Sequence, residues 1–248
     1  MISAARRLIL NPPTLNDPVT QLGSYLVELW DAERSDLITI ETGVSAWNGI
    51  KAGLSVTQGT AGAQPAYSAS SFGGGASVNF DGTDDNLALT LAGQLPTGSD
   101  PCELWALCEN QLDDAGVRSV IAYGGASGTT ERSIVRSNGE PCIALVRVGT
   151  GAGTTSAARS ALNGFMSRSV ARALITATQT TLWVDGRLEE AGNVVPSTTG
   201  TRLRFGALSA TAAANFWLGK IALLAITLPM PEALAGAFTN YLLRRRRL

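Results

Sequence analysis

Three carboxylates crowd one short stretch of the chain: Asp81, Asp84 and Asp85 in VNFDGTDDNLAL. Oxygen donors of this kind are what Ca²⁺ takes, and the same side chains also cap backbone N–H groups across a turn. The stretch lacks an EF-hand pattern, so capping is the expected role, with no metal and no cofactor. Asp81, Asp84 and Asp85 stand as candidate ligand-binding residues. A second chemistry is stacking. Trp30, Trp47, Trp105, Trp183 and Trp217 each offer a flat apolar face on which the C–H face of a pyranose packs. Four of them read as core, Trp183 and Trp217 because apolar neighbours flank them at both strand parities. Trp47, in a turn beside Asn48-Gly49, is the least tied to a core pattern and joins the candidate ligand contacts.

Other chemistries are excluded by what the chain lacks. It has no histidine, so Ser-His-Asp and Cys-His nucleophilic groups and histidine-bearing zinc sites cannot form. Cys102, Cys108 and Cys142 show no Cys-x-x-Cys spacing. Cys102 and Cys108 share one face of a strand roughly 20 Å apart, too far for a disulfide, and are expected as buried thiols. A glycosidase needs two carboxylates about 5–9.5 Å apart across the sugar bond. Glu189-Glu190 places neighbouring side chains on opposite faces of a strand, and no enzyme is expected.

The chain ends suggest partner contacts. Arg244, Arg245, Arg246 and Arg247 close a helical pattern, where positive charge complements the helix dipole; the alternative is docking on an acidic partner. Leu8, Ile9 and Leu10 lie ahead of Pro12, Pro13 and Pro18, in a segment read as an extended arm over residues 1–20 that either remains solvated or docks on a neighbour. With 19 basic and 20 acidic residues the net charge is −1. That balance predicts neither a general nucleic-acid binder nor an electrostatic membrane binder. The run Leu8-Ile9-Leu10 is too short for a signal peptide and no stretch approaches a membrane span, so synthesis in a cytoplasm without export is expected.

These groups must be held by an all-β scaffold. Apolar residues make up 45% of the chain and charged ones 16%, enough for a core in one domain spanning 21–243, followed by a basic tail at 244–248. Val78 and Phe80, then Leu87 and Leu89, keep a period of two across Asp81-Gly82 and predict a hairpin. Residues 23–30, 102–108 with 117–123 as partner, and 143–148 predict further strands. Residues 170–177 and 180–189 predict a second hairpin. Residues 216–228 predict a long strand. Residues 49–75 and TGAGTTSAAR read as loop and flexible turn. Pro231 begins a closing helix of three turns on Leu234, Phe238 and Tyr241 or Leu242.

Several short motifs also carry a resemblance. VNFDGTDDNLAL is similar to the FDG-x-DD segment of laminin G-like jelly rolls in the concanavalin A-like lectin and glucanase superfamily. Trp30-Asp31-Ala32 with Ser45-Ala46-Trp47, Trp183-Val184-Asp185-Gly186, and the strand around Gly219 resemble further segments of such modules, in the same order. The resemblance covers about residues 24–243. It implies a two-sheet antiparallel jelly-roll sandwich. It also implies a structural, surface-displayed phage virion component, as a tail, fibre or capsid accessory protein, located in the virion. Its partners would be other virion proteins, further copies of itself and host-surface glycans. A stand-alone carbohydrate-binding module or lectin is the alternative. The Glu-x-Asp-x-Glu type strand motif of the superfamily's glucanases is missing.

Overall fold

The computed structural model describes residues 16–91, 93–110, 118–125, 131–136, 144–149, 154–159, 168–192, 200, 202–208 and 212–246. In chain order these form α1 (Pro18–Leu22), β1 (Leu26–Asp31), β2 (Ile38–Ile40), β3 (Val44–Asn48), β4 (Ser55–Thr57), β5 (Ala66–Phe72), β6 (Gly75–Asp81), β7 (Leu87–Thr90), β8 (Cys102–Asn110) and β9 (Arg118–Gly124). Then come β10 (Glu131–Arg136), β11 (Ala144–Gly149), β12 (Thr154–Arg159), β13 (Ser169–Ile175), β14 (Thr180–Val184), β15 (Arg187–Gly192), β16 (Arg202–Phe205), β17 (Leu218–Thr227) and α2 (Glu232–Arg246). Two antiparallel sheets result. One runs β15-β14-β13-β8-β17-β6-β5, with β1 also paired to β17; the other runs β12-β11-β10-β9-β16-β7-β4-β3-β2. The expected all-β jelly-roll sandwich with a short C-terminal helix is the observed architecture.

Strand β17 explains the layering. Its sequence, LGKIALLAIT, is apolar at both parities, as a strand covered on both faces must be. Leu218 to Ile221 pair with β6, Leu223 to Thr227 pair with β1, and β8 runs along the other edge. A bulge between Ile221 and Leu223 resets the alternation. Ile221, Leu224 and Ile226 therefore enter the core between the sheets, while Ala222, Leu223 and Ala225 face outward. Strand β8 divides its side chains similarly. Cys102, Leu104, Ala106 and Cys108 point into the sandwich, and Trp105 and Leu107 point out. Both thiols are free and buried, as expected.

The outward residues are covered by the two helices. Phe238 of α2 meets Trp105 edge-to-face at 4.9 Å, and Leu22, Ala235 and Leu242 complete the layer. Each fully buried side chain of Leu or Phe size contributes about 1.5–3 kcal/mol, so this layer is a second core. Helix α2 starts where Pro231 has no N–H to lose, and the Pro231 carbonyl accepts from Leu234 and Ala235.

Several sequence expectations are corrected. Asp81-Gly82 is an arch between sheets, not a hairpin: β6 pairs with β5 and β17, β7 with β16 and β4. Phe80 and Leu87 enter the same core from opposite layers. Strand β9 likewise lies in the second sheet, away from β8. The stretch 49–75 contains β4 and β5, and TGAGTTSAAR contains β12. Strands β5 and β12 are edge strands, and Phe72 is the one buried residue of β5, so that strand needs no apolar alternation. Residues Gly23–Tyr25 form a 3-10 turn ahead of β1. The arm is not extended through residue 20. Asp17 caps α1 by accepting from Val19 N at 3.0 Å, Pro18 opens the helix, and buried Leu22 ties it to the outer layer.

Candidate functional site

The acidic turn is built from its own backbone. Asp81 N donates to Asp85 Oδ2 at 2.8 Å, and Asp81 Oδ1 accepts from Thr83 N at 2.8 Å and Asp84 N at 3.4 Å. The three carboxylates each bring an oxygen within 4.8 Å of the others. Burial pushes the Asp85 carboxyl up to about 6, against the pull of the Asp81 N–H and with the negative charges of Asp81 and Asp84 adding to the rise. Gly82 sits at φ +78°, and a Cβ there would come within 2.7 Å of Leu218 Cβ. Arg118 clamps the turn by donating to Gly82 O at 2.9 Å and Phe216 O at 2.6 Å. Asp81 and Asp85 thus bond backbone N–H groups of their own turn, and the Asp84 carboxylate lies beside them.

Two other candidates move. Trp47 is wholly buried and packs edge-to-face on Phe205 at 5.8 Å, so it offers no face to a ligand. Its place in a turn beside Asn48-Gly49 suggested exposure, but Ala46, Trp47 and Asn48 pair with β4, which turns the ring into the sandwich. The arginine run does not form a free tail. Arg244, Arg245 and Arg246 are the last turn of α2. Arg245 donates to Asp31 Oδ2 at 2.6 Å, and Arg246 bonds Asp185 Oδ2. Burial would lower the Arg245 pKa, and the Asp31 carboxylate more than offsets this. These arginines fasten α2 to the ends of β1 and β14. Leu8, Ile9, Leu10 and Arg247 lie outside the described residues.

A cleft forms where α2 crosses the β13–β14–β15 corner. Register places Arg172 of β13 opposite Trp105 of β8 on one side and Trp183 of β14 on the other, and places Trp183 opposite Leu188 of β15. The row Trp105, Arg172, Trp183, Leu188 thus crosses four strands on one face. Trp105 and Arg172 are buried, Trp183 is half-buried, and Leu188 is 58% exposed. The guanidinium of Arg172 lies between the rings, 4.2 Å from Trp183 and 5.3 Å from Trp105.

Carboxylates from two elements hold that guanidinium in place. Glu103 Oε1 accepts from Arg172 Nη2 at 2.8 Å, and Glu232 accepts from both Nη atoms at 3.1 Å. Glu103 also accepts from Trp105 Nε1 at 3.1 Å and Met230 N at 3.2 Å, which fixes the turn into α2. Burial alone would lower the Arg172 pKa, and the bonds to Glu232 and Glu103 reverse the shift. The resulting cleft has a volume of about 270 Å³, with Trp183, Glu232, Asn240, Asp185 and Leu243 around Arg172. The helix face is open at Gly236, where even an added Cβ would meet nothing within 4 Å.

Sequence reasoning placed Trp183 in the core because Leu182 and Val184 are apolar on either side. Those two do face the sandwich, which turns Trp183 outward. Glu232, Gly236 and Asn240 follow each other at helical i, i+4 spacing, and that polar and small stripe was the available signal for the cleft.

No family model and no curated relative matches the sequence. Solved structures do resemble it. The botulinum neurotoxin serotype D binding domain superposes with a TM-score of 0.56 at 8% identity, over 90% of this chain and 51% of that one. Domain 4 of AbnA, a GH43 extracellular arabinanase from Geobacillus stearothermophilus, in complex with arabinotriose, gives 0.55 at 12% identity, over 86% and 98%. What these likenesses share with the chain is the β-sandwich fold. The NanB sialidase from Streptococcus pneumoniae is 9% identical with a TM-score of 0.47, and the match spans 64% of this chain and 27% of that enzyme's length.

Proposed function

We propose that this chain is a non-catalytic carbohydrate-binding module and that the Trp183 cleft is its binding site. The observation that carries the reading is the half-buried indole of Trp183, set in a concave site beside a carboxylate, an amide and a guanidinium. Sugar recognition asks for that combination, an apolar face for the ring and a few fixed polar groups for the hydroxyls. The fold likeness to a domain solved with arabinotriose supports it. A binding role rather than hydrolysis is favoured because Glu232 and Asp185 are both paired with arginines. Neither stands free as acid or base.

A glycan array probed with the isolated chain tests the reading. Binding that free sugar competes away, and that Trp183→Ala abolishes, is the expected result; an array with no signal above background refutes it. The virion setting, with self-association and host-surface glycans as ligands, rests on the sequence resemblance. A mass-spectrometric inventory of a particle tests that setting.

A further inference from the structure

The charge of the cleft narrows its ligand class, provided that the cleft binds carbohydrate. Recognition of an anionic sugar calls for a cation with donors free for a carboxylate or sulfate. Arg172 is the one cationic side chain among the described residues lining the cleft. Its Nη2 is taken by Glu103 and Glu232, its Nη1 donates to Glu232, its Nε is buried, and the side chain as a whole is 5% exposed, so little of the guanidinium reaches the cleft. Trp183 stacks at 4.2 Å and Trp105 lies 5.3 Å away, so the ring neighbours of the guanidinium are also in place. The local balance is negative: Glu103, Glu232 and Asp185 stand against Arg172 and Arg246. Glu232 presents this charge outward, its side chain being 72% exposed.

We infer that the cleft takes the terminal ring of a neutral glycan and rejects sialylated, uronic and sulfated sugars. The ring packs on Trp183, and Leu188 and Leu243 extend the apolar surface. Hydroxyls donate to the Glu232 carboxylate, while exposed Asn240 supplies both a donor and an acceptor. The volume of about 270 Å³ is just below the ~300–1,000 Å³ of most small-molecule sites, which suits a chain end rather than the middle of a long polymer.

Titration of the full chain with arabinotriose, cellotriose and lactose against 3′-sialyllactose and digalacturonic acid, by calorimetry and tryptophan fluorescence, tests this. Lactose and 3′-sialyllactose form the sharpest pair because they differ by the sialyl group alone. At least one neutral sugar should bind tenfold or more above every anionic one. Trp183→Ala should remove that binding. Glu232→Gln, with its unfolding midpoint measured alongside as the control for folding, should weaken the neutral sugar by roughly tenfold, the worth of one charged hydrogen bond. The same variant should narrow the discrimination against 3′-sialyllactose by loosening the hold on Arg172. An anionic sugar that binds as tightly as the neutral ones and is lost in Trp183→Ala overturns the inference and leaves the carbohydrate reading standing. Neutral binding untouched by both variants places the site elsewhere and also overturns it. No binding by either class of sugar removes the carbohydrate reading itself.

Discussion

The acidic turn and the Trp183 cleft both gather carboxylates, yet they use them oppositely. At Asp81–Asp85 the partners are backbone N–H groups within four residues, and these hydrogen bonds shape the arch that carries the chain from one sheet to the other. In the cleft the partners of Glu103 and Glu232 are guanidinium nitrogens 69 and 60 residues away, and the carboxylates hold a cation between two indoles. A local cluster orders the turn that carries it. A cluster assembled from distant strands and a helix leaves a concavity where the elements meet.

The comparison is broken most severely at Arg172. Arg172→Ala should cost about 3–5 kcal/mol in urea unfolding, because it leaves Glu103 buried without its counter-charge. A loss below ~1 kcal/mol would mean that the pair does not secure α2. Gly82→Ala tests the arch: positive φ and the approach of Leu218 should together cost roughly 1–3 kcal/mol, and an unchanged denaturation midpoint would count against the described turn.

Asp85 sharpens the contrast through pH. Its carboxyl is raised from 3.8 to about 6, so the folded state binds its proton more tightly than the unfolded chain does. The stabilisation from this group is fully present below about pH 4 and is lost as pH rises through 6. Wild type should therefore lose on the order of 1–2 kcal/mol relative to Asp85→Asn between pH 4 and 7. Parallel stability profiles for the two proteins would contradict the shift. The smallest effect is expected from chelation. If the turn is held by its own N–H groups, EDTA should move the Tm by less than the ~2–4 °C that 1 kcal/mol produces at this chain length. A larger drop would restore the cation-site alternative for Asp81, Asp84 and Asp85.

Local pattern carried a good part of this structure. The two-sided apolar runs of β8 and β17, the Asp185-Gly186 turn with both residues at positive φ, the start of α2 at Pro231 and the buried thiols follow from residue type and period. Each depends on interactions within a few residues or on whether a face is wet. The pairing of strands was not legible. VNFDGTDDNLAL reads as a hairpin because its period and turn residues describe two strands and a reversal, whereas the choice of partner is made by β17 and β16, more than 100 residues downstream. Edge strands β5 and β12 were illegible for a related reason: a strand at a sheet edge need not alternate in hydrophobicity, so its sequence resembles loop.

The arginine run and the tryptophans mark the same boundary. Arg244 to Arg246 at a helix end satisfied the dipole in sequence terms, but the sequence could not show that Asp31 and Asp185 would arrive beside them. Trp47 and Trp183 exchanged their expected exposure for a similar reason. Residue type established that both rings needed cover, and the period of two placed Trp183 opposite Leu182 and Val184. Which face of each strand was covered depended on long-range pairing: β4 turned Trp47 inward, while the helix left Trp183 half open beside Arg172 and Glu232. A strand's own sequence sets which residues share a face, and only the packing of distant elements sets whether that face meets protein, water or a ligand.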